Sequence, residues 1–545
     1  MKRILLCLFL ALIVVSAASI RQNDKYFEIL KNLDIFATMY KEVNANYVDD
    51  LNPNTIMRTG IDAMLESLDP YTVYYSEDQI EDVRTENTGQ YGGIGATLGE
   101  RLNGGVYVLM PDKGFAADKA GLKRGDEIVE VNGINVKNDY DKAAEYLRGQ
   151  VSSKLNLKVK RGDQTLDIEV GLEKIELPNV PYFGMVNEEV GLIKLTGFRP
   201  NASREVRSAL RDLKKEGATS VMLDLRGNGG GLLNEAVNIS NLFIDKDELV
   251  VTTKGKLEEM NASYKTLNAA TDVEIPVAVL INSTSASASE IVAGVMQDYD
   301  RGVLVGQKSY GKGLVQRTMP LSYNSQMKVT IAKYYTPSGR CIQAIDYSTR
   351  NEDGSVGKIA DSLKTAFKTN NGRLVYDGGG VDPDFTTETR AFSPVTVGLL
   401  QSDAFFGFYN QLKSPLPQVA SAREIEISSE LYNQFVAWVQ TQTIDYSSKL
   451  QRELAALKDL AKESGQLAQI ESQINSIESK IANDLVADIG AAKDEVEFLL
   501  KEEMAARLFL DAGRLEASFD SDVDIEKAIS VLSNQSEYSA TLAGQ

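Results

Sequence analysis

Histidine is absent from all 545 residues of this chain. That excludes the Ser-His-Asp arrangement of serine hydrolases and every histidine-based zinc site. Cysteine is nearly as scarce. Cys7 lies in an N-terminal leader, and Cys341 stands alone after it. A single thiol cannot form an internal disulfide or supply a metal-binding thiolate cluster. Positive charge is also in deficit, with 58 Lys and Arg against 77 Asp and Glu, a net charge of −19. A long anionic chain repels phosphate backbones, so nucleic acid is not an expected ligand. What is present is ordinary for folded protein: 43% hydrophobic and 25% charged residues, in a length that suits three or four domains.

The first residues, "MKRILLCLFLALIVVSAASI", carry Lys2 and Arg3 before an apolar stretch and end in small residues. This is the pattern of a signal peptide, expected over residues 1–19. Loss of Lys2 and Arg3 takes the charge from −19 to −21. The alternative is an uncleaved anchor, although the uncharged run before Arg21 is 17 residues against the roughly 20 a spanning helix prefers.

Beyond the leader the texture changes three times. Residues 24–85 read as helical, with Phe27, Leu30, Leu33, Phe36, Met39 and Tyr40 at three-to-four spacing. A second helix, "TIMRTGIDAMLESL", starts after Pro53 and closes at Asp69-Pro70. This small helical domain is a candidate dimerisation element. Residues 88–173 are rich in short strands, among them "GGIGATL", "GVYVLM" and "DEIVEVNG", with one helix, "DYDKAAEYLRG". From 180 to 390 strands alternate with helices, which predicts a mainly parallel sheet. Residues 394–545 are helix-rich; within them "SSKLQRELAALKDLAKESGQLAQIESQINSIESKIANDL" reads as exposed helices or a helical hairpin, with no visible chemistry.

Three stretches are candidates for chemistry. "VGQKSYGKGLVQ" matches G-x-x-x-x-G-K at Gly306, Gly311 and Lys312, but Gly313 stands where a phosphate-binding loop needs Ser or Thr. A strand-like run follows instead of a helix, so nucleotide is not an expected ligand. "LDLRGNGGGLLNEAV" is a strand, a glycine turn and a helix start. Such a turn directs backbone N–H groups at negative charge, whether a phosphate or a tetrahedral oxyanion. It fails the dinucleotide fingerprint, because Leu232 replaces the last glycine. "STSASASEIV" spaces Ser287 and Glu290 as a capping box. A cap position also leaves Ser287 exposed on a strand–helix turn, where a hydrolase places its nucleophile.

A serine needs a base, and without histidine a desolvated lysine can serve. Arithmetic alone does not choose among the lysines. Lys312 is attractive because it lies between glycines, on the next strand-turn after the serine helix. Gln316, four residues on, falls on the same face and could orient it.

Together, "STSASASEIVAGVMQDYDRGVLVGQKSYGKGLVQ", "LDLRGNGGG" and "YYTPSGRCIQ" resemble the carboxyl-terminal processing peptidases, or tail-specific proteases. The resemblance covers about residues 26–385. It implies an α/β multidomain protein: a mainly parallel-sheet protease core of ββα-type units, an inserted PDZ domain, an N-terminal helical domain and a C-terminal helical extension. By motif the nucleophile falls on Ser287, the base on Lys312 and the supporting amide on Gln316. The oxyanion donors fall on the N–H groups of Ala288 and Gly230, the latter because relatives can carry proline, which has no N–H, in place of Gly229. "YGGIGATL" resembles the carboxylate-binding loop of a PDZ domain, with Gly93, Ile94 and Gly95 as peptide-binding residues. Thr284 departs from the pattern, standing where glycine is common.

The expectation is therefore an exported, periplasmic serine endopeptidase acting on protein substrates through their C-terminal tails. No cofactor, metal, nucleotide or nucleic acid is expected, and a homodimer or an adaptor protein is left open. The competing class is an inactive PDZ scaffold, against which intact Ser287, Lys312 and Gln316 argue.

Overall fold

Segments such as Val277–Ile281 and Ser220–Asp224 are buried at every position, which suits strands covered on both faces. A computed structural model of the protein describes residues 25–102, 104–347, 350, 355–388, 390–481 and 483–544. The expected signal peptide lies outside the described residues. The chain divides into two units, one of residues up to Ile80 with Gln316–Thr330, the other of Glu81–Val315 with Ile331–Gln545.

In the first unit, residues 25–46 form a helix. The helix Pro53–Glu66 begins earlier than the sequence suggests, because Asn52 caps it and Pro53 occupies its first turn. Strand Val73–Tyr75 pairs antiparallel with Gln326–Lys328. The apolar stripe of the first helix is largely open: Phe27, Leu30 and Leu33 are 60–65% exposed.

The second unit begins with a β-rich module whose strands run in the order Ala96–Glu100, Val106–Pro111, Glu127–Val131, Lys154–Arg161 and Gln164–Gly171. Ile94, Val108, Leu122, Ile128, Val131 and Val159 fill its interior. Gly121 and Gly125 take positive φ at its turns.

The central sheet follows. Its order is Tyr182–Met185, Val190–Lys194, Ser220–Asp224, Val277–Ile281, Val303–Gly306 and Phe385–Thr386; the first pair is antiparallel and the rest are parallel. Alternate residues of each strand enter separate cores. Val221, Leu223, Val279, Ile281 and Leu304 meet the helices Ala202–Glu216, Leu233–Ser240 and Ala288–Asp298. Met222, Ala278, Leu280, Val303 and Val305 meet Phe519, Ile525, Ala528, Val531, Leu532 and Tyr538. The far C-terminus is therefore a layer of the central sheet, with each large side chain buried there contributing about 2 kcal/mol. The hairpin Lys449–Glu463 and Leu467–Lys480 does form, joined by the pair Lys458–Glu478.

Candidate active site

Three turns meet at the C-terminal ends of the parallel strands, the usual place for a site in such sheets. The serine turn follows strand Val277–Ile281 and opens the helix Ala288–Asp298. Ser287 takes φ 56° and ψ −113°, a conformation that an L-residue adopts only when its surroundings enforce it. Those surroundings are its sister serines. Ser285 Oγ donates to the Leu225 carbonyl at 2.9 Å and accepts from the Asn282 N–H. Ser289 Oγ donates to the Asn228 carbonyl at 2.8 Å. Both are fully buried, whereas Ser287 is partly open. Two serines thus fasten the turn, and the one between them keeps access to solvent.

The glycine turn is the second element. Asn228 accepts the Ala286 N–H on its carbonyl at 3.0 Å, and its side-chain amide donates to Leu195 O at 2.8 Å. Gly230 takes φ +99°, and a Cβ there would lie 2.9 Å from both Ala288 N and Ser287 Cβ. Only glycine lets the turn come this close to the serine. The Gly230 N–H itself donates to Asn228 Oδ1 at 2.9 Å. Among the described residues, the Ala288 and Gly229 N–H groups have no partner.

Lys312 lies on the third turn. The capping box expected from sequence is present, but Glu290 does more than cap. Its Oε2 accepts the N–H of Ser287 at 2.8 Å and that of Lys312 at 2.9 Å. Its Oε1 accepts the Gly311 N–H at 2.7 Å and the Ser309 hydroxyl at 2.5 Å. Burial pushes this carboxyl above its ordinary range, against the four donors that pull it down. One side chain therefore binds the serine and lysine backbones together. Tyr334 makes a second link, its hydroxyl 2.6 Å from Lys312 O and 3.2 Å from Ser287 O. Gln343 Oε1 accepts the Gly313 N–H at 2.7 Å. Tyr334 and Gln343, both in the third motif, thus brace the lysine turn, a task their sequence positions do not reveal. Gln316 lies on strand Leu314–Pro320 and belongs to the first unit, where its amide donates to Thr330 Oγ1 at 3.3 Å.

Behind the glycine turn, the Asp224 carboxylate is fully buried. Burial alone would raise it, but Arg226 and Lys194 outweigh burial and hold it at about 2, against its ordinary 3.8. A folded-state value below the unfolded one gives stability that is present above about pH 4 and lost as pH falls toward about 2. Denaturant titrations should show such a loss across that interval, and Asp224→Asn, already weakened at neutral pH, should lose less.

In the β-rich module, Gly93 ends the strand Gln90–Gly93. Ile94 is buried, and a Cβ on Gly95 would lie 2.4 Å from Phe115 Cβ. Their carbonyls accept from Ala117 at 2.7 Å and Asp112 at 2.9 Å. Gly93 bridges antiparallel to Arg148, and among the described residues the Gly95 N–H has no partner. Strand Ala96–Glu100, which follows, is an edge strand, paired with Val106–Pro111 alone. An edge of this kind can accept an extended peptide as an added strand.

Comparison with known proteins agrees with this architecture. Residues 189–349 match peptidase family S41, residues 107–161 a PDZ domain, and residues 395–532 the C-terminal helical domain of probable PDZ-proteases. A probable CtpA-like serine protease of Staphylococcus aureus (strain MRSA252) is 36% identical over 57% of this chain; the match spans 62% of that protein's own length. A carboxy-terminal-processing protease of Bartonella bacilliformis is 34% identical over 62% of this chain and 78% of its own. The solved photosystem II D1 C-terminal processing protease aligns with a TM-score of 0.35 and 24% identity, over 66% of this chain and 93% of its own. A histidine-free chain with an inserted PDZ module, and a buried carboxylate joining a strained serine to a lysine turn, thus belongs to the carboxy-terminal-processing proteases of peptidase family S41.

Proposed function

We propose that this chain is an exported serine endopeptidase that selects protein substrates by their C-terminal tails and cleaves them with a Ser287–Lys312 dyad. The observation that carries the reading is the Glu290 carboxylate, which holds the backbone N–H groups of Ser287 and Lys312 on one oxygen. In the reaction, neutral Lys312 takes the Ser287 proton as the hydroxyl oxygen attacks the scissile carbonyl. The oxyanion is received at the helix N-terminus by the Ala288 N–H and by the glycine turn. There the Gly230 N–H serves once the Asn228 side chain releases it. Lysinium then protonates the leaving amine, and water hydrolyses the acyl-enzyme.

The PDZ loop supplies selection. A substrate's terminal carboxylate accepts the N–H groups at Gly93, Ile94 and Gly95, and the tail pairs along Ala96–Glu100. Charge-assisted hydrogen bonds of this kind are worth about 1.5–3 kcal/mol, so amidating the terminus of an unfolded reporter should lower kcat/KM about tenfold to a hundredfold. Steady-state cleavage of paired free and amidated reporters measures this. Equal rates would remove tail recognition while leaving the dyad standing.

A further inference from the structure

The first residue of the glycine turn is held from a place the sequence separates by almost 300 positions. The Arg226 guanidinium has two edges. Nε and Nη2 bind Asp224 on its own strand, at 3.0 and 2.9 Å. Nη1 lies 2.9 and 2.8 Å from the two oxygens of Asp522 and 2.8 Å from Asp524 Oδ2. Both distant carboxylates are themselves fixed. Asp522 caps the helix Val523–Ser533, its Oδ1 accepting from Asp524 N at 3.0 Å and Ile525 N at 3.2 Å. Asp524 Oδ1 accepts from Thr387 Oγ1 and, at 3.3 Å, from Gln307 Nε2. The Arg226 and Asp524 side chains are only 14% and 7% exposed, so water cannot readily replace these bonds.

We propose that Asp522 and Asp524 are positioning residues for peptide hydrolysis: through Arg226 they fix the glycine turn against the serine turn. The inference rests on the dyad reading above. The chain of contacts is continuous. Arg226 has its carbonyl held by Lys194 Nζ at 2.7 Å and its N–H by Asp224 Oδ1 at 2.9 Å. The next N–H, of Gly227, donates to Asn282 Oδ1 at 3.1 Å, on the serine turn. Asn228 then receives Ala286 and Ser289, and Gly230 follows against Ser287. A guanidinium that loses one edge's partners must move toward water or toward another acceptor, and the turn begins at its Cα. The C-terminal segment is in this way part of the active centre, although it contributes nothing that touches substrate.

Full-length Asp522→Asn, Asp524→Asn and the double variant should test this beside wild type and Ser287→Ala. Each single change should lower kcat about tenfold, and the pair about a hundredfold, with KM for a tail-bearing reporter within about twofold of wild type. A peptide aldehyde, whose adduct with Ser287 places an oxyanion in the turn, should bind about tenfold more weakly to each single variant. Binding of a tail peptide to the PDZ module should not change. Folded single variants with wild-type kcat and aldehyde affinity would overturn the inference while Ser287→Ala stays inactive. Activity retained in Ser287→Ala would instead overturn the dyad. Should the double variant fail to fold, the single variants decide.

Discussion

Replacing Ser287 with alanine should reduce cleavage of an unfolded, tail-bearing reporter by about 10³-fold or more, with the fold intact. The loss is large because the hydroxyl forms and breaks the covalent bond, and no water can take its place on this turn with the same orientation. The fold should survive because the Ser287 side chain only caps the start of its helix, a loss of about 1 kcal/mol on change to alanine. The Ser287 N–H, held by Glu290, is untouched by the change. Lys312→Ala should cost a similar factor, since removing either member of a unit that acts together removes most of its effect. The two sister serines make the contrast. Ser285→Ala and Ser289→Ala each delete a buried hydroxyl that holds the turn, so they should lower stability by about 1–3 kcal/mol and leave a nucleophile in place. Reporter cleavage with denaturant melts on the same preparations separates the two behaviours.

Glu290→Gln should be nearly as damaging to turnover, although it changes only one atom. The carboxylate accepts four hydrogen bonds, three from backbone N–H groups and one from Ser309. An amide offers one oxygen and one NH2 group. Placed at Oε2, the NH2 faces the N–H groups of Ser287 and Lys312; placed at Oε1, it faces that of Gly311. In either orientation a donor meets a donor, and the serine and lysine turns must part. A shift of about 1 Å in such a geometry costs about 10²-fold in rate. The expected result is a kcat reduced about 10²-fold and a protein destabilised by about 1–3 kcal/mol for each donor left unpaired. Stopped-time reporter assays and chemical denaturation on Glu290→Gln check both.

Much of this was visible in the chain itself. Fully apolar runs such as "VAVLI" announce strands buried on both faces, and the serine and glycine turns follow such strands directly. The capping spacing of Ser287 and Glu290 was visible too, but as a local device. That the same carboxylate reaches Gly311 and Lys312 depends on where a loop 21 and 22 residues away returns, and no periodicity encodes that. Asp522 and Asp524 were less visible still. They sit in a helix-rich stretch of ordinary composition, 296 and 298 residues from the arginine they hold. The first helix shows the opposite case: its apolar spacing gave the helix, while Phe27, Leu30 and Leu33 stay largely exposed, because a stripe specifies a surface to be covered and not what covers it. The oxyanion role of Gly230 is an expectation from resemblance alone. The bond from its N–H to Asn228 comes from the turn's own closure, which composition does not show.

The central claim is that Ser287 is a nucleophile activated by Lys312. It is tested most directly by covalent labelling with a fluorophosphonate, which phosphonylates an activated serine oxygen and expels fluoride. Peptide mapping by mass spectrometry should place a single adduct on Ser287. Its rate should rise with pH as the lysine loses its proton, and fall at least about a hundredfold in Lys312→Ala. An adduct on another residue, or wild-type labelling of Ser287 without Lys312, would contradict the account.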